Sequence, residues 1–268
     1  MNKGIIFVGC SFTWGQGLYY YTKMDTLKYP PNSVFYDHFL TDAHKKYMGA
    51  HRYGRLVANH FGTFDVHRNN NYGCEEQSLH FMDIIFDRKN SDEHFTLERY
   101  EHSEIEYFIL QTSYFYRNSV KIIENGVECL VALTDNTDGK IDKLMFDMGI
   151  NTFEELTDFY VKKWFDKIKT QFLKLENYGV KCRMICWYDD YLKYVESDDF
   201  MRDKFIPLYY QDIKFNTISE LMDYDKSMNI KTDREFFGPL PPDDSHPSKK
   251  CHRVIADSII KKIESENI

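Results

Sequence analysis

Short apolar runs, each followed by a stretch with helical spacing, leave this chain few architectures. GIIFV (residues 4–8) is continuous and bounded by glycine on its far side, IEYFILQTS (105–113) is a second such run, and VKCRMICWY (180–188) a third. A strand that reads as unbroken apolar sequence is buried on both faces, as in a parallel sheet covered by helices, whereas a strand with one wet face alternates. TFDVHRNN (63–70) alternates and adds another strand, and a weaker apolar segment near DIKFN (212–216) offers a fifth.

Between these runs lie helical patterns. HRYGRLVANHFG (51–62) places Leu56, Val57 and His60 on one face, with Gly62 as its stop. The segment from Glu75 through Phe86 has Leu79, Met82, Ile85 and Phe86 as its apolar face. FEELTDFYVKKWFDKIKTQFLKLENYG (153–179) carries a stripe of Leu156, Phe159, Tyr160, Trp164, Ile168, Phe172 and Leu175, and Gly179 ends it. SKKCHRVIADSIIKKI (248–263) closes the chain as an amphipathic helix capped by Ser248. Strand and helix in alternation predict a three-layer α/β/α sandwich around a mainly parallel sheet of about five strands. Residues 12–50 read as irregular, with YPPN (29–32) a loop, and residues 119–152 fit no clean period and read as an insertion. With no repeats and no linker, one domain over residues 1–268 is the economical organisation.

Composition narrows the function classes. Net charge is −8 and the isoelectric point near 5.7, which argues against nucleic acid or an anionic membrane as partner, since phosphate binding needs a basic face. The five-residue run at 4–8 is too short for a signal-peptide core and no later run reaches membrane-spanning length. The six cysteines (10, 74, 129, 182, 186 and 251) include no CxxC pair. A cytoplasmic, reducing location is therefore expected, a phage or virus origin fitting equally. Cys182 and Cys186 read as small buried hydrophobes on one strand face rather than metal ligands, and no metal site is expected. No glycine-rich phosphate loop is present, and no cofactor is implied.

The chemistry concentrates where the first run ends, in FVGCSFTWGQG (7–17). Ligands of open parallel sheets bind outside the carboxyl ends of the strands. Ser11 follows the first strand, Gly73 the second, and Gln111, Thr112 and Ser113 close the third, so all face one crevice. Ser11 reads either as a turn residue or as a nucleophile, and a hydroxyl nucleophile needs a neighbouring base. Of the ten histidines, His246 stands apart. It lies in PLPPDDSHPSKK, with prolines stiffening its approach and Asp243 three residues earlier, within reach across a turn to orient the imidazole.

GCSFTWGQG, NNNYGCEEQS and DDSHPS, in that order, resemble the SGNH (GDSL-type) hydrolases, in particular the phage and bacterial variant with cysteine in the nucleophile motif. The resemblance implies a flavodoxin-like fold and a serine esterase or acyl hydrolase, possible forms being a carbohydrate O-deacetylase or an O-acyltransferase. It implies Ser11 as nucleophile, His246 as general base and Asp243 as its orienting acid. The N–H groups of Ser11 and Gly73 would form the oxyanion hole, and a small-molecule or saccharide ester would be the partner. Two departures stand out. The first block reads Gly9-Cys10-Ser11 where the family has Gly-Asp-Ser, which raises Cys10 as a rival nucleophile, although the residue before such an elbow points away from the crevice. The third block lacks the family's Gly-x-Asn-Asp and reads LQTSYFYRN. There Ser113, or Thr112, would lend a hydroxyl to the oxyanion hole, Asn118 lies too far along, and Arg117 is either a substrate clamp or a surface residue. A catalytically silent carbohydrate- or partner-binding protein is the reading from a different class.

Overall fold

The structure, a computed structural model, describes residues 3–10, 13, 18, 41–67, 75–86, 99–124, 127–133, 139–228 and 246–266. The first apolar run forms β1 (Gly4–Val8), buried along its whole length. It pairs in parallel with β2 (Asp65–His67) on one side and with β3 (Ile105–Gln111) on the other, and β3 pairs in parallel with β6 (Lys181–Ile185). Successive side chains of a strand point to opposite faces. Ile6, Val8, Phe108, Leu110, Cys182 and Met184 accordingly enter one core, and Ile5, Phe7, Tyr107, Ile109 and Ile185 the other.

Helices cover both faces. α3 (Glu75–Ile84) and the long α5 (Phe153–Asn177) close the first core; α2 (Tyr53–His60), α8 (Ile218–Met228) and α9 (Lys249–Glu266) close the second. This is the three-layer α/β/α arrangement, built on a four-stranded parallel sheet of order β2-β1-β3-β6. The order reverses at β1, so the gap between the carboxyl ends of β1 and β3 is the switch point at which such sheets open a crevice.

The helix ends follow sequence chemistry. Thr152 caps α5 by accepting from the Glu155 N–H at 3.1 Å, and Gly179 beyond its end has φ +82°, which only glycine adopts at no cost. The Ser248 hydroxyl accepts from the Cys251 N–H at 3.1 Å and caps α9. Two placements differ from the expected faces. Phe159 is 47% exposed, and His60 turns from the core to meet Glu264 at 2.9 Å.

Other segments depart from the periodicity reading. Within residues 12–50, α1 (Asp42–His51) is a helix opened by a capping box between Thr41 and His44. Within 119–152, β4 (Ser119–Glu124) and β5 (Val127–Ala132) form an antiparallel hairpin, and α4 (Lys140–Met148) follows. The extended segment near 212–216 forms β8 (Ile213–Phe215), but it pairs antiparallel with β7 (Leu208–Tyr210), outside the parallel sheet. The reason is local. At the outer edge of β6, only the Met184–Phe205 and Cys186–Thr217 bridges form among the described residues; Pro207 has no N–H to extend the first, and Thr217 caps α8 by accepting from the Glu220 N–H at 3.0 Å. Among the described residues, no helix is long and apolar enough to cross a membrane.

Candidate functional site at the carboxyl edge of the sheet

The residues on either side of Ser11 in the sequence, Gly9, Cys10 and Thr13, are held in place after β1. Gly9 packs so closely that a Cβ there would collide with Thr13 Oγ1 and stand 2.9 Å from Gln111 Cβ. The Thr13 N–H donates to the Cys10 carbonyl at 3.0 Å, and the Gln111 side-chain amide donates to Cys10 Sγ at 3.0 Å. The Tyr53 hydroxyl donates to Thr13 Oγ1 at 2.9 Å, and Thr13 Oγ1 donates onward to Gln111 Oε1 at 2.9 Å. Burial pushes the Tyr53 phenol up, so it remains a donor. Cys10 is fully buried in the apolar cluster beneath α9. A thiol enclosed in that way is disfavoured as nucleophile.

The last helix reaches the same edge. α2 and α9 run side by side, joined near their starts where the Tyr53 N–H meets His252 Nδ1 at 3.4 Å and near their ends where His60 meets Glu264 at 2.9 Å. Glu266 of α9 also takes the Arg183 guanidinium of β6, at 2.8 Å from Nε. Tyr53 belongs to the carboxyl edge through Thr13 and Gln111. His60 is followed by Phe64, whose carbonyl accepts from the Ile5 N–H at the opposite edge. Both helices therefore run antiparallel to the strands, and the head of α9, with His246 just before it, lies at the carboxyl edge. His246 is half-buried. His252 is wholly buried, and burial, with the charge of His246 a lesser cause, pushes its pKa down to about 3. With Nδ1 accepting, the His252 proton sits on Nε2, which has no partner. Behind the helix head, Ser248 Oγ donates to the buried Asp225 carboxylate at 2.8 Å.

The end of β3 supplies a second polar cluster. The Thr112 N–H continues the ladder to the Ile185 carbonyl at 3.0 Å, and the Ser113 N–H leaves it to donate to Glu75 Oε1 at 2.6 Å. The hydroxyls of Thr112 and Ser113 are both buried, and that of Thr112 lies close enough to the Cys186 thiol to act on its ionisation. The Ser113 hydroxyl makes no hydrogen bond and is a free donor. Asn118 is not one: its Oδ1 accepts from the Glu75 N–H at 2.8 Å, and its amide donates to the Tyr114 and Phe115 carbonyls at 3.2 Å each. Glu75 is buried, and burial pushes its carboxyl up to about 7 despite the hydrogen bonds that favour its charge.

Ser11, Gly73 and Asp243 lie outside the described residues, as does the side chain of Arg117. Gln111 stands at the end of the third strand, where the sequence puts it, while Thr13, Tyr53, Glu75 and His252 escape sequence reasoning. Only a glutamate opening an apolar helix hinted at one of these four.

A second aspartate–histidine pair belongs to the scaffold. Asp65 and His67 of β2 meet at 2.9 Å, and Asp65 also takes Arg52 at 2.9 Å and Arg55 at 2.7 Å. Burial alone would raise the Asp65 carboxyl, but His67 and Arg52 outweigh it and hold the group at about 2. His67 stacks on Phe7 and is pushed down to about 4 by burial. It lies against Gly54, where a Cβ would stand 2.5 Å from its Nε2, so no substrate reaches it. Among the described residues, no three His, Cys, Asp or Glu side chains converge as a metal site. Cys182 and Cys186 share the core of one face, as their spacing predicts, and burial pushes both thiols up.

No protein-family model, curated protein or solved structure matches the chain.

Proposed function

We propose that the protein is a serine acyl-ester hydrolase acting through an acyl-enzyme, a carbohydrate O-deacetylase being one form. One observation carries this reading. The residues flanking Ser11 and the helix head that follows His246 share the carboxyl edge, linked through Gln111, Thr13, Tyr53 and His252. In this reading Ser11 Oγ attacks the ester carbonyl carbon while His246 takes its proton. The N–H groups of Ser11 and Gly73, with the hydroxyl of Ser113 or Thr112, meet the oxyanion. Collapse breaks the ester C–O bond, and His246 returns the proton to the departing alcohol. Water repeats the sequence, releasing the acid and restoring Ser11. Asp243 holds the imidazole tautomer, and Arg117 clamps the substrate. A sugar hydroxyl in place of water makes the same site an O-acyltransferase, which product analysis with a saccharide acceptor separates from hydrolysis.

The test is covalent labelling by a fluorophosphonate, alongside hydrolysis of short-chain p-nitrophenyl esters. Wild type takes the label, Ser11→Ala does not, and the variant's ester hydrolysis falls by about a thousandfold or more. Equal labelling and equal rates overturn the proposal.

A second reading, a silent saccharide-binding protein, is favoured by aromatic rings gathered after β3 and β6. Tyr114 lies 4.9 Å from Tyr188, 5.2 Å from Tyr116 and 5.8 Å from Trp187 between ring centroids, and Tyr116 and Tyr188 are exposed. Such faces stack on sugars as on other flat apolar surfaces. A folded wild type that refuses the label yet binds a saccharide would establish this reading instead.

A further inference from the structure

The acyl-transfer reading leaves unused the Glu75 carboxyl, a buried acid at the same edge. Its two oxygens differ: Oε1 takes the Ser113 N–H at 2.6 Å, and Oε2 makes no well-formed hydrogen bond. Its own N–H is held by Asn118 Oδ1 at 2.8 Å, and Asn118 is fixed to the loop after β3 by two further bonds. One residue therefore ties the first turn of α3 to both ends of that loop. The buried Tyr191 hydroxyl, which falls short of a well-formed hydrogen bond, faces the carboxyl closely enough to favour its charged form. A group of buried polar atoms left unsatisfied in this way calls for a role beyond packing.

We propose that Glu75 is a positioning residue. As a carboxylate it holds the Ser113 N–H, and with it the turn that presents the hydroxyl of Ser113, or of Thr112, to the oxyanion. When it takes a proton from solvent, the new O–H turns to Tyr191 and the hold on Ser113 loosens. This rests on the acyl-transfer reading above. The ionisable groups that face Glu75 and Tyr191 are Asp190, from the segment after β6, and Cys186, at the end of that strand. Burial pushes Tyr191 well up and Cys186 up to about 12, so both stay neutral. Burial also raises Asp190, whose carboxylate accepts from the Phe115 N–H at 3.1 Å. Glu75, raised by burial to about 7, is thus placed to change charge in the working range.

Fluorophosphonate labelling followed against pH tests this. A histidine base alone gives an acid limb of slope about one, and a second required carboxylate makes it about two. Wild type is expected to show the steeper limb. Glu75→Gln cannot titrate and, like the protonated acid, offers Ser113 only a neutral acceptor, so its limb has slope about one and its rate at about pH 8.5 falls by about tenfold. Glu75→Ala loses the acceptor, and its rate there falls by about ten- to a hundredfold. Equal slopes in wild type and Glu75→Gln overturn the positioning role while Ser11 stands as nucleophile; a wild type that takes no label overturns both. The Ser113 amide resonance of the wild type supplies a measurement independent of how the variants fold. It should shift with a midpoint near 7, and an amide that does not move across that range overturns the role.

Discussion

Glu75 shows two effects opposed within one side chain. The short bond from the Ser113 N–H and its place in the first turn of α3 favour the charged form, since a helix amino terminus attracts anions. Burial disfavours it and wins, moving the pKa from 4.5 to about 7. Because the folded-state value is raised, the group's stabilising contribution is complete below 4.5 and is lost as pH rises through about 7. At about 1.4 kcal/mol per unit, ionised Glu75 costs the folded state on the order of 3 kcal/mol. Glu75→Gln should therefore raise the urea midpoint at about pH 8.5 by an amount worth about 1–3 kcal/mol, at unchanged slope, with the gain gone below about pH 4.5. A variant no more stable than wild type at high pH would show that the charge is solvated. This residue is illegible in the sequence because its partners are 38 and 43 positions away. Ser11 and His246 are legible as candidates, because local motif and proline context single them out.

At the scale of elements, what reads well is what local chemistry decides. The cap at Ser248 and the stop at Gly179 sit where the sequence puts them, since each depends on a few neighbouring residues. The β4–β5 hairpin escapes a search for period alone, although Asn125-Gly126 between two apolar segments is its signal. β8 misleads for the converse reason: its apolar residues suit a strand, but the partner is chosen by Pro207 and by the cap at Thr217. Ser248 also joins two elements, since its hydroxyl caps α9 and donates to Asp225 of α8, itself 6% exposed. Ser248→Ala should cost about 1–3 kcal/mol in urea unfolding, the lost cap adding to a buried carboxylate short of one donor. Because His246 lies two residues before the cap, fluorophosphonate labelling should slow in the same variant at temperatures where it is fully folded. Unchanged unfolding and labelling would reduce Ser248 to a spectator.

For the whole molecule, the buried histidines set the response to acid. His67 and His252 lie against the second core, on β2 and α9, with pKa values pushed down by burial to about 4 and about 3. A depressed histidine contributes stability that is present above its unfolded value near 6.5 and is lost as pH falls towards the folded one. Summed over both, the loss is several kcal/mol, a large part of the roughly 5–15 kcal/mol that holds a typical domain. Glu75 works in the opposite direction, gaining as pH falls from about 7 to 4.5, but it is one group against two. Asp65, held at about 2, changes nothing until the pH drops below the ordinary carboxylate range. The balance predicts cooperative acid unfolding between about pH 6 and 4. Replacing either histidine by glutamine should move the midpoint lower, by about half a unit or more for a variant that folds at neutral pH. His252→Gln is the sharper test, since His252 Nε2 has no partner to lose and its Nδ1 makes only the 3.4 Å contact with Tyr53. Circular dichroism followed from neutral pH downwards decides it: an acid midpoint shared by wild type and both variants would mean that the carboxylates, not the imidazoles, open the fold.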